Sequence, residues 1–255
     1  MDLIRSLSIA FSMYSRVPVP RVRWDEHSAR YVLFFFPLVG AVEGVLLLGL
    51  WRLLTALGCP VLLRAALLVC FPYLYTGGIH LDGFLDTVDA LGSWRTREER
   101  LHILKDVHTG SFAVLACVLL CLLQLSAWSA LDSGRAVGVV AVCLPFSRSI
   151  TVLSLLFLPN ARGEGSAHRF SSRAARQLTA VGAGITAVFS AAAAFWLIGA
   201  GIAGCVFLLL IFLSIAYALL RACSAFGGLT GDLAGFLLTV TELSALIVTA
   251  LFSLE

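Results

Sequence analysis

Charged residues are scarce in this chain. Of its 255 residues, only 13% are Asp, Glu, Lys or Arg, whereas 60% are hydrophobic and the mean hydropathy is +0.96. This composition excludes a water-soluble domain and indicates an integral membrane protein with several spans. No internal repeat and no soluble domain is visible. We therefore predict an all-α transmembrane helix bundle that forms a single domain over residues 1–255.

Paired cysteines are also missing. None of the seven cysteines belongs to a Cys-x-x-Cys pair, and most of them lie inside apolar runs. This spacing argues against a thiolate metal site and favours small residues that pack between helices or face lipid.

The apolar runs predict about seven membrane-spanning helices. We place them at residues 32–57, 61–75, 111–131, 137–158, 178–198, 202–220 and 234–252. Residues 1–30 contain a short amphipathic segment that ends at the prolines at 18 and 20. Because that segment is too short to span, residues 1–30 are predicted to lie at the membrane interface. Residues 77–110 are predicted to form an acidic and amphipathic segment outside the membrane.

The basic residues fall unevenly on the two sides of this topology. The N-terminal side collects Arg5, Arg16, Arg21, Arg23, Arg30, Arg95, Arg97, Arg100, Lys105, Arg162, Arg169, Arg173, Arg176 and Arg221. The opposite side collects Arg52, Arg64 and Arg135. Because short basic loops stay in the cytoplasm, we predict a cytoplasmic N-terminus in a multi-pass protein of the cell (inner) membrane.

Three aspartates stand close together at this predicted cytoplasmic face. On a helix, Asp82, Asp86 and Asp89 fall at i, i+4 and i+7, within about 40° of one another. Each pair of neighbouring carboxylates repels by about 3 kcal/mol at an effective dielectric near 20. Either one acid stays protonated, or a hard divalent cation such as magnesium or manganese sits among them. The simpler alternative is a helix face whose acids are solvated.

Other polar residues could complete a phosphate site at the same face. Arg148 lies inside a predicted span and needs an anion, which could be Glu43, Glu242 or a phosphate that enters the bundle. Lys105 and Arg162 are further candidates for phosphate binding, and Asp106, next to Lys105, is a candidate for the substrate site. The glycines at 227, 228 and 231 can turn backbone N–H groups toward an anion, and Asp232 is a possible further metal ligand. Each of these residues also has an ordinary structural explanation.

The acidic block, Gly77-Gly78-Ile79-His80-Leu81-Asp82-Gly83 with Asp86 and Asp89, resembles the signature of the cobalamin synthase family, adenosylcobinamide-GDP ribazoletransferase. The likeness covers nearly the whole chain. It extends to Arg16-Val17-Pro18-Val19-Pro20, Phe36-Pro37-Leu38-Val39-Gly40, Leu104-Lys105-Asp106 with Gly110, Arg148, Arg162, and Gly227-Gly228-Leu229-Thr230-Gly231-Asp232 with Glu242-Leu243-Ser244. The sequence departs from the pattern where His108 replaces an arginine, Ala90 and Ala113 replace glycines, and Gln124 replaces a lysine.

The resemblance implies a magnesium-dependent transferase in the last step of nucleotide loop assembly in cobalamin biosynthesis. Such an enzyme joins adenosylcobinamide-GDP to alpha-ribazole or its 5'-phosphate and releases GMP. Asp82, Asp86 and Asp89 would hold the metal on the diphosphate. The ribose 3'-hydroxyl would attack the phosphorus on the cobinamide side, and Asp89, or His80 instead, would take its proton.

Two other functions remain open at this point. A CDP-alcohol phosphotransferase also uses clustered aspartates at a membrane face, but its motif is longer and places Ala-Arg where Thr87-Val88 stands here. An ion- or proton-coupled transporter could use Glu43, Arg148 and Glu242 inside the spans. Against a transporter, the densest group of acids lies at one face, and no inverted repeat is visible. An oligomer is possible, because Gly40 and Gly44 permit close helix pairing. We predict no binding of nucleic acid.

Overall fold

The computed structural model of the protein describes residues 2–20, 22, 29–106, 108–163 and 165–252, and every structural statement below concerns these residues. They form eleven helices and no strand beyond one isolated bridge between Asn160 and Leu229. The helices are α1 Asp2–Tyr14, α2 Val32–Ala56, α3 Val61–Thr76, α4 Ile79–Gly92, α5 Arg97–Ile103, α6 Ser111–Ala130, α7 Gly134–Phe157, α8 Ser166–Arg173, α9 Arg176–Gly199, α10 Ile202–Phe226 and α11 Gly231–Phe252.

The predicted all-α membrane bundle is confirmed. Six of the helices in the described part of the chain, α2, α6, α7, α9, α10 and α11, are long and apolar enough to cross a membrane. The pair α3 and α4 makes a seventh candidate if it is taken as one broken span, since its two halves meet at 96°. Leucines and phenylalanines such as Phe189, Phe212 and Leu213 are exposed on the outer helices, as expected for a surface that faces lipid.

Two glycines let α2 and α7 approach each other closely. A β-carbon on Gly44 would overlap the backbone carbonyl of Ala141, and one on Gly40 would overlap the side chain of Arg148. Since a carbonyl oxygen in a helix cannot move aside, glycine is required at position 44 for this distance between the axes. The Gly-x-x-x-Gly motif therefore packs helices of the same chain, which removes it as an argument for an oligomer.

A second close contact joins α4 to α11. A β-carbon on Gly83 would lie 2.8 Å from the backbone oxygen of Asp232, and one on Gly235 would lie 3.0 Å from the backbone oxygen of His80. Thr239 Oγ1 also donates to the His80 oxygen, at 3.4 Å. Because the small residues bring the two backbones together, the acidic face of α4 comes to lie beside the first turn of α11.

The bend between α3 and α4 depends on two successive glycines in the left-handed region. Gly77 has φ of 69° and Gly78 has φ of 82°, values that residues with a side chain rarely adopt. Arg16 also packs against Gly77, and its backbone N–H donates to the oxygen of Tyr75 at 2.6 Å. The N-terminal segment is thereby fixed to the turn that starts the acidic helix.

The N-terminal segment forms a helix followed by extended chain. Helix α1 ends at Tyr14, and its buried residues Ile9 and Ala10 pack in the same apolar cluster as Phe36 of α2. Residues 15–20 are not helical, which agrees with the prolines at 18 and 20. The interfacial placement predicted for residues 1–30 stays a prediction, and residues 1, 21 and 23–28 of this segment lie outside the described residues.

Candidate active site

Helix α4 presents the three predicted acids beside other charged side chains. The charged neighbours of Asp86 are Asp82, Asp232, Asp89 and Arg162. Asp82 is exposed, whereas Asp86 and Asp89 are half-buried. The Asp89 carboxylate lies against Gly110, so close that a β-carbon would not fit there. The structure therefore brings the four predicted metal ligands into one neighbourhood.

Arg162 links this neighbourhood to the loop before α8. Its Nη1 lies 3.3 Å from Asp232 Oδ2, and its Nη2 donates to the backbone oxygen of Leu101 at 3.2 Å. The Asn160 side chain accepts from the backbone N–H groups of Arg162 and Gly163, which fixes the turn that carries the guanidinium. The loop, the acidic helix and the first turn of α11 thus meet through one arginine.

Lys105 joins Arg162 in a surface cleft of about 350 Å³. The other lining residues are Glu98, Leu101, His102 and Ala161. Helix α5 forms one wall, and its start is set by a reciprocal cap in which Thr96 and Glu99 each bond the other's backbone N–H. Two of the residues predicted to bind phosphate, which are far apart in sequence, therefore share one cleft.

The glycine turn before α11 packs against the loop that carries Arg162. Leu229 N–H donates to the Pro159 oxygen and Ala161 N–H donates to the Leu229 oxygen, both at 2.9 Å. Gly227 has φ of 77°, packs against the Arg97 guanidinium, and gives its N–H to the Cys223 oxygen. That donor is therefore in use, and the predicted anion binding by this turn now rests on Gly228 and Gly231.

The position of Arg148 corrects the interpretation that this residue binds phosphate. Its Nη2 lies 2.6 Å from Glu43 Oε2, and its Nη1 contacts Glu242 Oε1. The side chain is 1% exposed and lies inside the bundle. Of the three anions predicted for it, the structure supplies both glutamates, so Arg148 holds helices together and does not line the phosphate cleft. A guanidinium that already has two carboxylate partners is poorly placed to bind a third anion.

His80 lies in an aromatic setting that its sequence position did not reveal. Its ring is stacked on Tyr14 with centroids 6.3 Å apart, and the Phe36 ring centroid is 5.8 Å away. His80 Nε2 is buried and has no hydrogen-bond partner in the described part of the chain. Sequence reasoning missed Tyr14 altogether, because nothing in the N-terminal run places its last helical turn beside residue 80.

Asp106, predicted to contribute to the substrate site, is engaged locally with His108. The His108 backbone N–H donates to Asp106 Oδ1 at 3.0 Å, and His108 Nδ1 lies 2.7 Å from the same oxygen. These two hydrogen bonds, the backbone one first, hold the pKa of Asp106 below its usual range. Asp106 is therefore an ionised, exposed carboxylate that orders the loop next to the phosphate cleft.

The donor set can be tested against the magnesium that the resemblance implies. The neighbourhood offers carboxylate oxygens, which suit a hard cation. Among the described residues, no three His, Cys, Asp or Glu side chains lie close enough together to hold an ion by themselves. Magnesium in enzymes that act on phosphates is usually held by one or two carboxylates and the substrate phosphates. The residues present fit that mode and do not fit an all-protein metal cage.

Comparison with known proteins assigns the family. A family described as Cobalamin-5-phosphate synthase matches residues 6–250. The chain belongs to this family. A curated relative named adenosylcobinamide-GDP ribazoletransferase, from Lachnoclostridium phytofermentans, is 36% identical over 96% of this chain and 93% of its own length.

Two further curated relatives carry the same name. The protein from Desulfitobacterium hafniense is 35% identical over 95% of both chains. The protein from Pseudomonas aeruginosa is 34% identical over 98% of this chain and 99% of its own length. No solved structure matches. The resemblance predicted from the acidic block is thus confirmed at the level of the family.

Proposed function

We propose that this protein is an adenosylcobinamide-GDP ribazoletransferase of cobalamin biosynthesis. Family membership along residues 6–250 and the names of its curated relatives support this activity. The proposed substrates are adenosylcobinamide-GDP and alpha-ribazole or its 5'-phosphate. The ribose 3'-hydroxyl oxygen forms a bond to the phosphorus on the cobinamide side, the anhydride bond breaks, and GMP leaves with the electron pair.

The observation that carries the proposal is the meeting of three distant segments at one end of the bundle. The residues that meet there come from segments that span most of the chain. They are the acids of α4, the Arg162–Asp232 pair and the cleft with Lys105. Phosphoryl transfer needs little covalent chemistry from a protein and depends on positioning and on the compensation of charge. Acids beside bases at a membrane face are suited to that task.

The proposed magnesium ligands are Asp82, Asp86, Asp89 and Asp232. Each ion would be bound by one or two of these carboxylates. Bound there, the metal supplies positive charge that offsets the charge developing on the departing GMP. Arg162 and Lys105 bind phosphate oxygens in the cleft. Asp89, whose carboxylate lies against Gly110, accepts the hydroxyl proton, with His80 as the alternative acceptor.

The membrane setting completes the proposal. The candidate spans make this a multi-pass membrane protein. We place it in the cell inner membrane with the active site on the cytoplasmic side, because the basic loops are concentrated at that end.

The two other functions considered from the sequence are less well supported. The family match does not support a CDP-alcohol phosphotransferase. A transporter would use the charged side chains inside the spans, but Arg148 is already paired with Glu43 and Glu242.

The proposal is tested with purified protein in nanodiscs. Adenosylcobinamide-GDP, alpha-ribazole and magnesium are expected to give GMP and a completed corrinoid in equal amounts, and chelation with EDTA is expected to stop both. Omission of the ribazole separates transfer from hydrolysis. Wild-type protein that releases no GMP with both substrates and magnesium would overturn the activity. Full turnover in EDTA would overturn the metal requirement alone.

A further inference from the structure

A cavity of about 140 Å³ opens from the acid neighbourhood into the bundle. Five helices line it: α1, α2, α4, α7 and α11. Its lining includes Asp82, which is exposed, and Asp232, whose side chain is 29% exposed. Leu33 and Leu238, each 1% exposed, line its buried part. The cavity therefore joins exposed carboxylates to buried apolar side chains.

Its inner wall is apolar and aromatic. Phe36, Tyr14 and His80 form a contiguous group of rings, with 4.3 Å between the centroids of Tyr14 and Phe36. Burial raises the pKa of Tyr14 to about 12, so this ring stays neutral. Thr151 is the other buried hydroxyl, and its Oγ1 already donates to the Ser147 oxygen at 2.9 Å. Apart from the carboxylates of Asp82 and Asp232 and the unpartnered His80 Nε2, an occupant of this cavity meets mainly ring faces and aliphatic carbons.

We propose that this cavity binds the benzimidazole base of the ribazole substrate, with its ribose directed toward Asp82 and Asp232. This inference rests on the proposed function. The size of the cavity excludes the corrin macrocycle. Guanine is disfavoured, because burial of its amide and amino groups in this part of the cavity would leave several of them without partners. A two-ring base with a single unsubstituted nitrogen leaves almost nothing unsatisfied and stacks against aromatic walls.

The polarity of the cavity also fixes the direction of the nucleoside. The base occupies the buried end, and the ribose hydroxyls emerge where the carboxylates stand. This orientation brings the attacking oxygen to the diphosphate from the membrane side, while the cleft with Lys105 and Arg162 receives phosphate from the aqueous side. The two substrates thus occupy different parts of the site.

Cavity-filling substitutions test the proposal. Leu238→Phe adds volume at the buried end, and Leu251→Phe, on the same helix but 62% exposed, is the matched control. We expect Leu238→Phe to raise the KM for alpha-ribazole about tenfold or more, since one methylene in an apolar pocket already changes selection by about 10–200-fold. The KM for adenosylcobinamide-GDP and kcat at saturation should change less than twofold, and the control should match wild type.

Unchanged KM values for both substrates, or equal increases in both, would overturn the base site. If Leu238→Phe fails to fold, Met13→Trp on the half-buried opposite wall fills the same volume and is judged by the same criterion. A cavity that holds lipid would show unchanged KM values and a loss of co-purified lipid from the filled variant, which also overturns the proposal. The activity of the wild-type protein separates the proposed function from the proposed base site. If wild-type protein releases no GMP, the proposed function is wrong. If the variants are active and their KM values are unchanged, only the base site is wrong.

Discussion

Arg148 and Glu43 form an ion pair in the interior of the bundle, with 2.6 Å between Nη2 and Oε2, and both side chains are almost wholly buried. Glu242 contacts the other terminal nitrogen of the same guanidinium. One arginine of α7 thereby joins α2 and α11. These helices carry Phe36 and Asp232, so the pair fixes the relative position of the aromatic wall and a candidate metal ligand.

Removal of this arginine should be more damaging than removal of one glutamate. Arg148→Met leaves the buried carboxylate of Glu43 and the partly buried carboxylate of Glu242 without a counter-charge, and we expect it to lower the free energy of unfolding by about 3–5 kcal/mol. Glu43→Gln should cost less, because Glu242 still pairs with the arginine. Thermal unfolding of the purified variants in detergent measures both, with the exposed Arg95→Met as control. An Arg148→Met protein as stable as wild type would contradict the ion-pair account.

The contact of Gly44 with Ala141 predicts a sharp difference between two glycines of one helix. Gly44→Ala places a methyl group against a backbone carbonyl and should destabilise the protein by about 1–3 kcal/mol. Gly49→Ala, where nothing lies within 4 Å, should be neutral or stabilise by up to about 1 kcal/mol. Melting temperatures of the two variants, measured side by side, test this difference in stability. Similar values would show that α2 and α7 are not in close contact.

Arg162 should affect phosphate binding more than folding. Arg162→Gln removes the charge beside Asp232, and we expect the KM for adenosylcobinamide-GDP to rise about tenfold or more, since charge-assisted hydrogen bonds contribute about 1.5–3 kcal/mol. The KM for alpha-ribazole should stay within twofold. Arg169→Gln, at an exposed site of α8, serves as the control. Steady-state kinetics in which Arg162→Gln raises neither KM would remove Arg162 from the phosphate site.

The sequence predicted most of the fold, because the spans are long, uniformly apolar and bounded by glycine, proline or charge. Helices α2, α6 and α11 begin or end within a few residues of the predicted bounds. The sequence did not predict the 96° angle between α3 and α4. Consecutive glycines predict a turn, but its direction depends on Arg16 and Tyr75, which contact each other only in the folded chain.

The site was predictable in part for the same reason. The spacing of Asp82, Asp86 and Asp89 requires only a helix, so a single sequence reveals it. The partner of Arg148 could not be chosen from the sequence, because Glu43 and Glu242 lie on different helices whose packing is set by glycines. The aromatic cavity was missed because Tyr14, Phe36 and His80 come from three segments, and each alone resembles an ordinary packing residue.

The central claim is that the α4 acids take part in magnesium-dependent cleavage of the diphosphate. Its most direct test is the rate of GMP release by Asp82→Asn, compared with Asp132→Asn in the exposed loop between α6 and α7. We predict that Asp82→Asn lowers kcat/KM by about 100-fold or more while its melting temperature matches wild type, and that Asp132→Asn is fully active. An Asp82→Asn protein that releases GMP at the wild-type rate would contradict the account.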